Sequence, residues 1–170
     1  MKPRVIGIPV ALVALFLDQA NKIWLIDIYN IAQHQPVHLA PFFDVIFAKN
    51  PGISYSLLSA KTAAGRFALT AGAILAILFL IAWLWRSRSA LVAVGLGLII
   101  GGAIGNNACD RLIYGYVVDF YHFHVGNFSW YVFNLADVAI TFGVICLLWD
   151  MLWGESAPGP SSAHTVSGGR

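Results

Sequence analysis

The sequence has few charged residues and almost no cysteine. Only 11% of its 170 residues are Asp, Glu, Lys or Arg, whereas a soluble domain carries roughly 25%. The formal net charge is +2, so the chain lacks the basic surface of a nucleic-acid-binding protein, and no nucleic-acid partner is expected. Cys109 and Cys146 both lie inside apolar stretches. This placement argues against a disulfide framework, and neither cysteine belongs to a redox or metal-ligand pair.

Long apolar stretches are abundant, because 59% of the residues are hydrophobic. A helix needs about 20 mostly apolar residues to cross a membrane. Four stretches satisfy this requirement, and we place the spans at about residues 5–26, 67–85, 90–109 and 130–149. The sequence therefore predicts an all-α membrane protein with four transmembrane helices.

The segments between the spans predict a small cap outside the membrane. Residues 27–66 contain three prolines and several β-branched and aromatic residues, which favours short strands followed by an interfacial helix near residues 54–64. We expect residues 1–154 to form one membrane domain with this β-containing cap at about 27–66. The tail at 155–170 is rich in Pro, Ser and Gly and has the composition of a disordered segment.

Basic residues near the span ends indicate how the chain is oriented. Short loops that carry Lys and Arg stay on the cytoplasmic side of a membrane. Four such residues cluster on one side of the predicted bundle: Lys2, Arg4, Arg86 and Arg88. On the other side, Lys22 and Arg111 have acidic neighbours. We therefore expect both termini and the tail in the cytoplasm and the cap in the periplasm.

Four acidic residues lie inside or beside the spans: Asp18, Asp110, Asp119 and Asp137. Ionisable groups in a membrane are costly, so each one is a candidate functional group. Because the spans alternate in direction, all four should converge near the outer surface, with Asp18 about 12–15 Å and Asp137 about 10 Å deep at 1.5 Å per residue. This favours one wet pocket over a transporter, which needs polar groups through the full depth of the membrane.

Asp119 and Asp137 are the strongest candidates for chemistry, because neither has a basic residue close by in the sequence. Two carboxylates within reach of one water can share a proton. The ionised carboxylate then takes a proton from the water while the protonated one polarises a carbonyl group.

The other ionisable residues have simpler explanations. Asp18 and Lys22 are four residues apart with the acid first, which favours an ion pair that holds structure or a lipid head group. Asp110 and Arg111 suit an interfacial ion pair and a role in substrate binding equally well. His122 and His124 alternate with aromatic residues, a pattern more typical of a wet strand or loop than of a metal site.

Five glycines of the third span predict close packing between helices: Gly95, Gly97, Gly101, Gly102 and Gly105. Small residues of this kind let transmembrane backbones approach each other.

Five short motifs follow one another along the four spans. They are Asp18-Gln19-Ala20-Asn21-Lys22, Asn50-Pro51-Gly52-Ile53-Ser54-Tyr55, Gly101-Gly102-Ala103-Ile104-Gly105-Asn106-Asn107-Ala108-Cys109-Asp110-Arg111, Val117-Val118-Asp119-Phe120 and Phe133-Asn134-Leu135-Ala136-Asp137. In this order they resemble the motifs of lipoprotein signal peptidases, the type II signal peptidases of bacteria. The resemblance covers the chain from Asp18 to about Thr141 and is highly specific.

The resemblance implies an intramembrane aspartyl endopeptidase of the bacterial inner membrane. Such an enzyme removes the signal peptide of a diacylglyceryl-modified prolipoprotein just before its lipid-bearing cysteine. The resemblance makes Asp119 and Asp137 the catalytic pair. It also implies five pocket residues and three supporting residues: Asn50, Gly52, Asn107, Arg111 and Asn134, with Asp18, Lys22 and Asp110.

No metal or organic cofactor is implied, and the expected partners are prolipoprotein substrates and membrane lipid. We expect a monomer, because one chain carries a complete pocket. The alternative is a non-catalytic membrane protein, either a small transporter subunit or a lipid-binding paralogue, whose acids only stabilise the bundle.

Two positions depart from the family pattern. The family usually has two residues between the glycine-linked asparagine and the Asp-Arg pair, whereas three follow Asn106 here. We assign the pocket role to Asn107, which keeps the usual spacing to Asp110, and hold Asn106 as second choice. Pro51 replaces the middle residue of the cap motif, which more often reads Asn-Thr-Gly.

Overall fold

Four long apolar helices dominate the computed structural model, which describes residues 2–51 and 63–154. Within these ranges the helices run Arg4–Ile28, Phe67–Arg86, Ala90–Ile113 and Leu135–Trp153. Each is long and apolar enough to cross a membrane, so the prediction of four spanning helices is confirmed. Gly52, most of the interfacial helix expected at 54–64 and the tail at 155–170 lie outside the described residues.

The elements follow one another in a simple order. Their bounds are α1 (Arg4–Ile23) with π-helical turns at Trp24–Ile28, α2 (Ile31–His34), β1 (Val37–Ala40), β2 (Phe43–Asn50), α3 (Ala63–Arg86), α4 (Ala90–Ala103) with π-helical turns at Ile104–Asp110, α5 (Arg111–Ile113), β3 (Val117–Val125), β4 (Phe128–Ser129) and α6 (Leu135–Trp153).

The outer surface of the bundle is apolar. Large side chains at the middle of the helices are more than half exposed, among them Phe16 of α1, Phe79 of α3 and Phe142 of α6. Water would penalise this surface, whereas lipid tails solvate it. The exposed aromatic and aliphatic residues therefore support a membrane location for the bundle.

Helix α4 occupies the centre of the bundle, where it packs against α1, α3 and α6. Its glycines make this packing possible, as predicted. A Cβ atom on Gly97 would lie 2.5 Å from the Gly7 carbonyl oxygen of α1, and one on Gly102 would lie 2.6 Å from the Ala136 oxygen of α6. The backbones are thus too close for any side chain at these positions.

A four-stranded antiparallel sheet, in the order β1-β2-β3-β4, covers one end of the bundle. The predicted cap between the first two spans supplies β1 and β2, while β3 and β4 come from the segment before α6. Phe43 pairs with Phe123 and Asn50 with Val117. An apolar cluster attaches the sheet to the end of α1: Leu25, Ile31, Val45, Val118 and Phe120.

Helix α6 begins later than the sequence predicted. The expected span started at residue 130, but the helix starts at Leu135 after Asn134 as N-cap residue. The preceding segment is extended, and Phe133 forms a β-bridge with Tyr121. Asp137 therefore lies in the first turn of α6, instead of about two turns inside a helix that begins at residue 130.

We predict that Gly102→Ala lowers the free energy of unfolding by about 1–3 kcal/mol, because the added methyl group forces α4 away from α6. Gly72→Ala is the matched control, since no atom lies within 4 Å of a Cβ at that position of α3. Unfolding in mixed detergent micelles measures both variants. Equal stability of the two would contradict the close packing of α4 on α6.

Candidate functional site

A cavity of about 680 Å³ opens between the sheet and the adjoining ends of α3, α4 and α6. Five of the predicted site residues line it: Asn50, Asn107, Arg111, Asp119 and Asp137. Four others are almost fully buried in the described structure: Asp18, Lys22, Asp110 and Asn134. Gly52 lies outside the described residues. The fold thus brings together carboxylates that are far apart in the sequence.

The start of α6 fixes the position of Asp137. Asn134 caps the helix, and its Oδ1 accepts a hydrogen bond from the Asp137 backbone N–H at 3.0 Å. In return, Asp137 Oδ2 accepts from the Asn134 backbone N–H at 3.1 Å. This reciprocal pair is a capping box, in which an acidic residue three positions after the cap satisfies a free N–H group. The second carboxylate oxygen, Oδ1, accepts from Asn106 Nδ2 at 3.0 Å.

Asp119 reaches the cavity from β3. Its Oδ1 accepts a hydrogen bond from Asn134 Nδ2 at 2.7 Å, and its Oδ2 accepts from Asn50 Nδ2 at 3.2 Å. Only 4% of the residue is exposed. Burial, followed by the nearby charge of Asp137, raises the pKa of Asp119 to about 7. One proton can therefore reside on this carboxyl group at neutral pH.

Asn134 links the two carboxylates. Its backbone and Oδ1 atoms hold Asp137, while its Nδ2 group contacts Asp119 Oδ1. The same Nδ2 group also donates to Asn106 Oδ1 at 3.0 Å and to the Val118 carbonyl oxygen at 3.2 Å. One buried side chain thus sets the positions of both acids, because α6 begins at this residue.

Lys22 lies behind the carboxylates and is 1% exposed. Its ammonium group contacts Asp18 Oδ2 at 2.8 Å, Asp110 Oδ2 at 2.7 Å and Asn106 Oδ1 at 2.9 Å. The predicted ion pair between Asp18 and Lys22 is confirmed, and the structure adds Asp110 to it. Asn106 connects this group directly to Asp137.

The acids around Lys22 also hold the backbone of other elements. Asp18 Oδ1 accepts a hydrogen bond from the Ala136 N–H of α6 at 3.0 Å. Asp110 Oδ2 accepts from the Val118 N–H of β3 at 3.1 Å. Gln19 Nε2 donates to both acids, at 3.0 and 3.1 Å. Among the described residues, every buried side-chain nitrogen or oxygen has a hydrogen-bond partner.

Asn106 and Asn107 both line the cavity but have different partners. The sequence favoured Asn107 for the pocket role, yet it is Asn106 that contacts Asp137, Lys22 and Asn134. Asn107 Oδ1 instead accepts from Arg111 Nε at 3.3 Å. The additional residue in this motif falls in the π-helical turns at Ile104–Asp110, and a π-turn contains one more residue than an α-turn.

Sequence reasoning missed two polar residues of the first motif. Gln19 bridges Asp18 and Asp110, and Asn21 Oδ1 accepts from the Tyr121 hydroxyl group at 3.0 Å. One sequence feature could have identified them: both amides stand beside ionisable residues in an otherwise apolar helix. Buried amides in such surroundings need partners, which makes them candidate members of a network.

Metal-ligating side chains gather elsewhere on the sheet. Within the described part of the chain, Asp44, His122 and His124 place one potential ligand atom each within 4.8 Å of one another. Asp44 belongs to β2 and the two histidines to β3. Asp119 and Asp137 do not belong to this group, although His122 lines the same cavity as they do.

The chain is similar to known proteins over nearly its whole length. A family model described as signal peptidase (SPase) II matches residues 10–153. A lipoprotein signal peptidase of Methylocella silvestris is 62% identical over 94% of this chain and 92% of that protein. One of Beijerinckia indica is 56% identical over 95% of this chain and 98% of that protein.

Two solved structures described as bacterial membrane enzymes share the fold. One superposes with a TM-score of 0.71 at 26% identity, covering 88% of this chain and 94% of that chain. The other has a TM-score of 0.70 at 24% identity, with coverage of 90% and 93%. The four helices and the sheet therefore form an arrangement that solved proteins also adopt.

We predict that Lys22→Met lowers the free energy of unfolding by about 3–5 kcal/mol, because two buried carboxylates lose their counter-charge. Lys49→Met, which changes an exposed lysine of β2, is the control and should have little effect. Unfolding titrations in mixed micelles provide the measurement.

The double variant Lys22→Met/Asp110→Asn tests the cause of this loss. It should be less destabilised than the sum of the two single variants, because one of the unpaired charges is then absent. Strict additivity would show that the two side chains do not interact.

Proposed function

Because the chain belongs to the signal peptidase II family, we propose that it removes signal peptides from prolipoproteins in the bacterial inner membrane. We further propose that the peptide bond is cleaved by an aspartyl mechanism, with Asp119 and Asp137 as the catalytic residues. The observation that carries it is the pair of carboxylates that share one cavity and are linked by Asn134. Amide N–H groups donate to both carboxylates, and an amide does not compete for the transferred proton.

The two aspartates have different surroundings, which suits different roles. Asp137 lies at the N-terminus of α6 and accepts two N–H hydrogen bonds, and these two contacts stabilise its negative charge. We assign it the role of general base. Asp119, with its pKa raised to about 7, holds the proton of the pair and acts as the general acid.

The reaction then balances with one water molecule. Asp137 takes a proton from the water while the water oxygen attacks the carbonyl carbon of the scissile peptide bond. Asp119 donates its proton to the carbonyl oxygen, giving a tetrahedral intermediate. When this intermediate collapses, the carbon–nitrogen bond breaks, the leaving nitrogen takes the proton held by Asp137, and the hydroxyl proton returns to Asp119.

Asn106 acts as a positioning residue for Asp137 in this proposal. It joins the Asp137 carboxylate to the Lys22 ammonium group through its two amide atoms, which holds the base at a fixed angle. Asn107 and Arg111 contact each other at the wall of the cavity. We assign them, with Asn50 and Gly52, to substrate binding.

The substrate is proposed to be a prolipoprotein with a diacylglyceryl-modified cysteine, cut just before that residue. A lipid-anchored substrate presents its peptide at the membrane surface. In the structure, the cavity lies where the apolar helices end and the sheet begins. Apolar residues of α3 form part of its wall, including Ala68, Leu69 and Ala73, and they offer a surface for acyl chains.

The proposed orientation places the sheet and the cavity in or near the periplasm. At the opposite end of the bundle, Lys2, Arg4 and Arg88 line one shallow pocket with Trp85, and Arg4 lies over the Trp85 ring at 4.7 Å. Clustered basic residues favour the cytoplasmic side, so we place both termini there. A single chain supplies every residue assigned to the reaction, which supports a monomer.

We predict that Asp119→Asn and Asp137→Asn each reduce cleavage by about 10²- to 10⁴-fold, because an amide can neither accept nor donate the transferred proton. Conversion of a diacylglyceryl-modified prolipoprotein to its shorter form measures the rate. Asp27→Asn changes an exposed aspartate beside the cap and should leave the rate unchanged.

Binding of the uncleaved substrate should persist in both variants, since the pocket residues are intact. Wild-type cleavage in either variant would contradict the aspartyl mechanism. The same assay of the wild-type protein separates the peptidase from the non-catalytic alternative. A non-catalytic paralogue would fail to convert the substrate.

We predict that kcat/KM falls as the pH rises through about 7, because Asp119 then loses the proton that it donates. The raised pKa places the active form below this value and the inactive form above it. A pH–rate profile with a synthetic lipopeptide checks the prediction. A rate that stays level to strongly alkaline pH would contradict the role of Asp119 as acid.

A further inference from the structure

A row of histidines and one aspartate crosses the sheet. His38 of β1 pairs with Asp44 of β2, and Asp44 pairs in turn with His122 of β3. His124 follows two residues later, and residues two apart on a strand point to the same face. Ser129 of β4 is the cross-strand partner of His124. The antiparallel pairing thus brings together residues as far apart in the sequence as His38 and Ser129.

The side chains of this row are held in contact. Asp44 Oδ1 lies 2.7 Å from His38 Nδ1, and Asp44 Oδ2 lies 2.9 Å from His124 Nε2. His122 Nε2 lies 2.8 Å from Ser129 Oγ, and the rings of His122 and His124 are 5.3 Å apart. Asp44, His122 and His124 offer ligand atoms that are all within 4.8 Å of one another.

The Asp44 carboxylate is less exposed than the two imidazoles that contact it. Its side chain is 11% exposed, whereas His124 is 31% and His38 is 70% exposed. In the described part of the chain, its ion-pair partners are these two imidazoles, with no lysine or arginine among them. A shielded carboxylate surrounded by imidazoles, with a path to solvent, has the composition of a metal site.

We propose that Asp44, His122 and His124 bind one zinc ion at the surface of the sheet. Two imidazole nitrogens and a carboxylate oxygen form a ligand set typical of zinc, and water would complete a tetrahedral site. Ligand atoms at about 2.0–2.2 Å from the ion lie about 3.4 Å apart. On binding, the 2.9 Å distance between Asp44 Oδ2 and His124 Nε2 would widen to that value, and the other separations, which are at most 4.8 Å, would adjust to it.

Two neighbours orient the ligands. His38 holds Asp44 Oδ1, which leaves Oδ2 for the metal, and Ser129 contacts the ring of His122. Such outer contacts fix the angle of a ligand and raise its affinity for the ion. Zinc would replace the hydrogen now shared by Asp44 Oδ2 and His124 Nε2.

A bound zinc ion would cross-link β2 and β3, because Asp44 lies on β2 and the two histidines lie on β3. The same two strands carry Asn50 and Asp119 at the opposite end of their pairing, and His122 and Ser129 lie at the wall of the cavity. Bound zinc is therefore expected to stabilise the sheet that positions Asp119. This inference goes beyond the proposed peptidase activity and does not depend on it.

Calorimetric titration of the full chain with ZnCl₂ tests the proposal. The protein is purified without a polyhistidine tag, freed of metal with a chelator and kept in detergent micelles. We expect one site per chain, and His122→Gln and His124→Gln should each weaken binding by at least about tenfold. His34→Gln is the control, because this exposed histidine of α2 contacts the Asn30 carbonyl oxygen outside the row.

Two further measurements keep the test independent of the stability of the variants. Co²⁺ added to the wild-type protein should give the visible absorption of a tetrahedral site, and ZnCl₂ should abolish it. ZnCl₂ should also protect His122 and His124, but not His34, from acylation by diethyl pyrocarbonate. Equal zinc affinity of the wild type and the His122→Gln/His124→Gln double variant, or equal acylation with and without zinc, would overturn the proposal.

Discussion

The rest of the structure depends on the contacts of the Lys22 ammonium group. It is buried between two aspartates and an asparagine, and each of these residues holds another element. Asp18 binds the backbone of α6, Asp110 binds the backbone of β3, and Asn106 binds Asp137. Removing a charge from water costs several kcal/mol unless its partners are complete. The network therefore forms only when α1, α4, α6 and the sheet are all in place.

This network also explains how two chemically identical side chains acquire different roles. Asp137 belongs to a helix N-terminus, whereas Asp119 belongs to a strand and is held by the amides of Asn50 and Asn134. Because Asn134 is both the N-cap of α6 and the partner of Asp119, the positions of the two acids are coupled. A shift of α6 would move both ends of this link. Acid–base catalysis requires that the groups that exchange a proton, here the two carboxyl groups, are held in fixed positions.

Sequence reasoning predicted much of the fold, because lipid restricts the choices. Four apolar spans of alternating direction are enough to bring Asp18, Asp110, Asp119 and Asp137 to one side. The sequence alone could not predict that Asn106, and not Asn107, contacts Asp137. A π-turn rotates the helix by an amount that residue spacing does not reveal. The start of α6 was also wrong by five residues, from 130 to Leu135. There, pairing of Phe133 with Tyr121 overrides the apolar pattern. The pairing of β2 with β3, which brings Asp44 to His122, arises between segments that carry no local signal for each other.

The protonation of Asp119 is the property that tests this account most directly. Infrared difference spectroscopy of isotope-labelled aspartate can follow its carboxyl band through a pH titration in micelles. We predict a protonated band that disappears near pH 7, is absent in Asp119→Asn, and titrates at lower pH in Asp137→Asn, where the neighbouring charge is gone. A band that titrates near pH 4, the ordinary range of an aspartate, in both the wild type and Asp137→Asn would contradict the coupled pair.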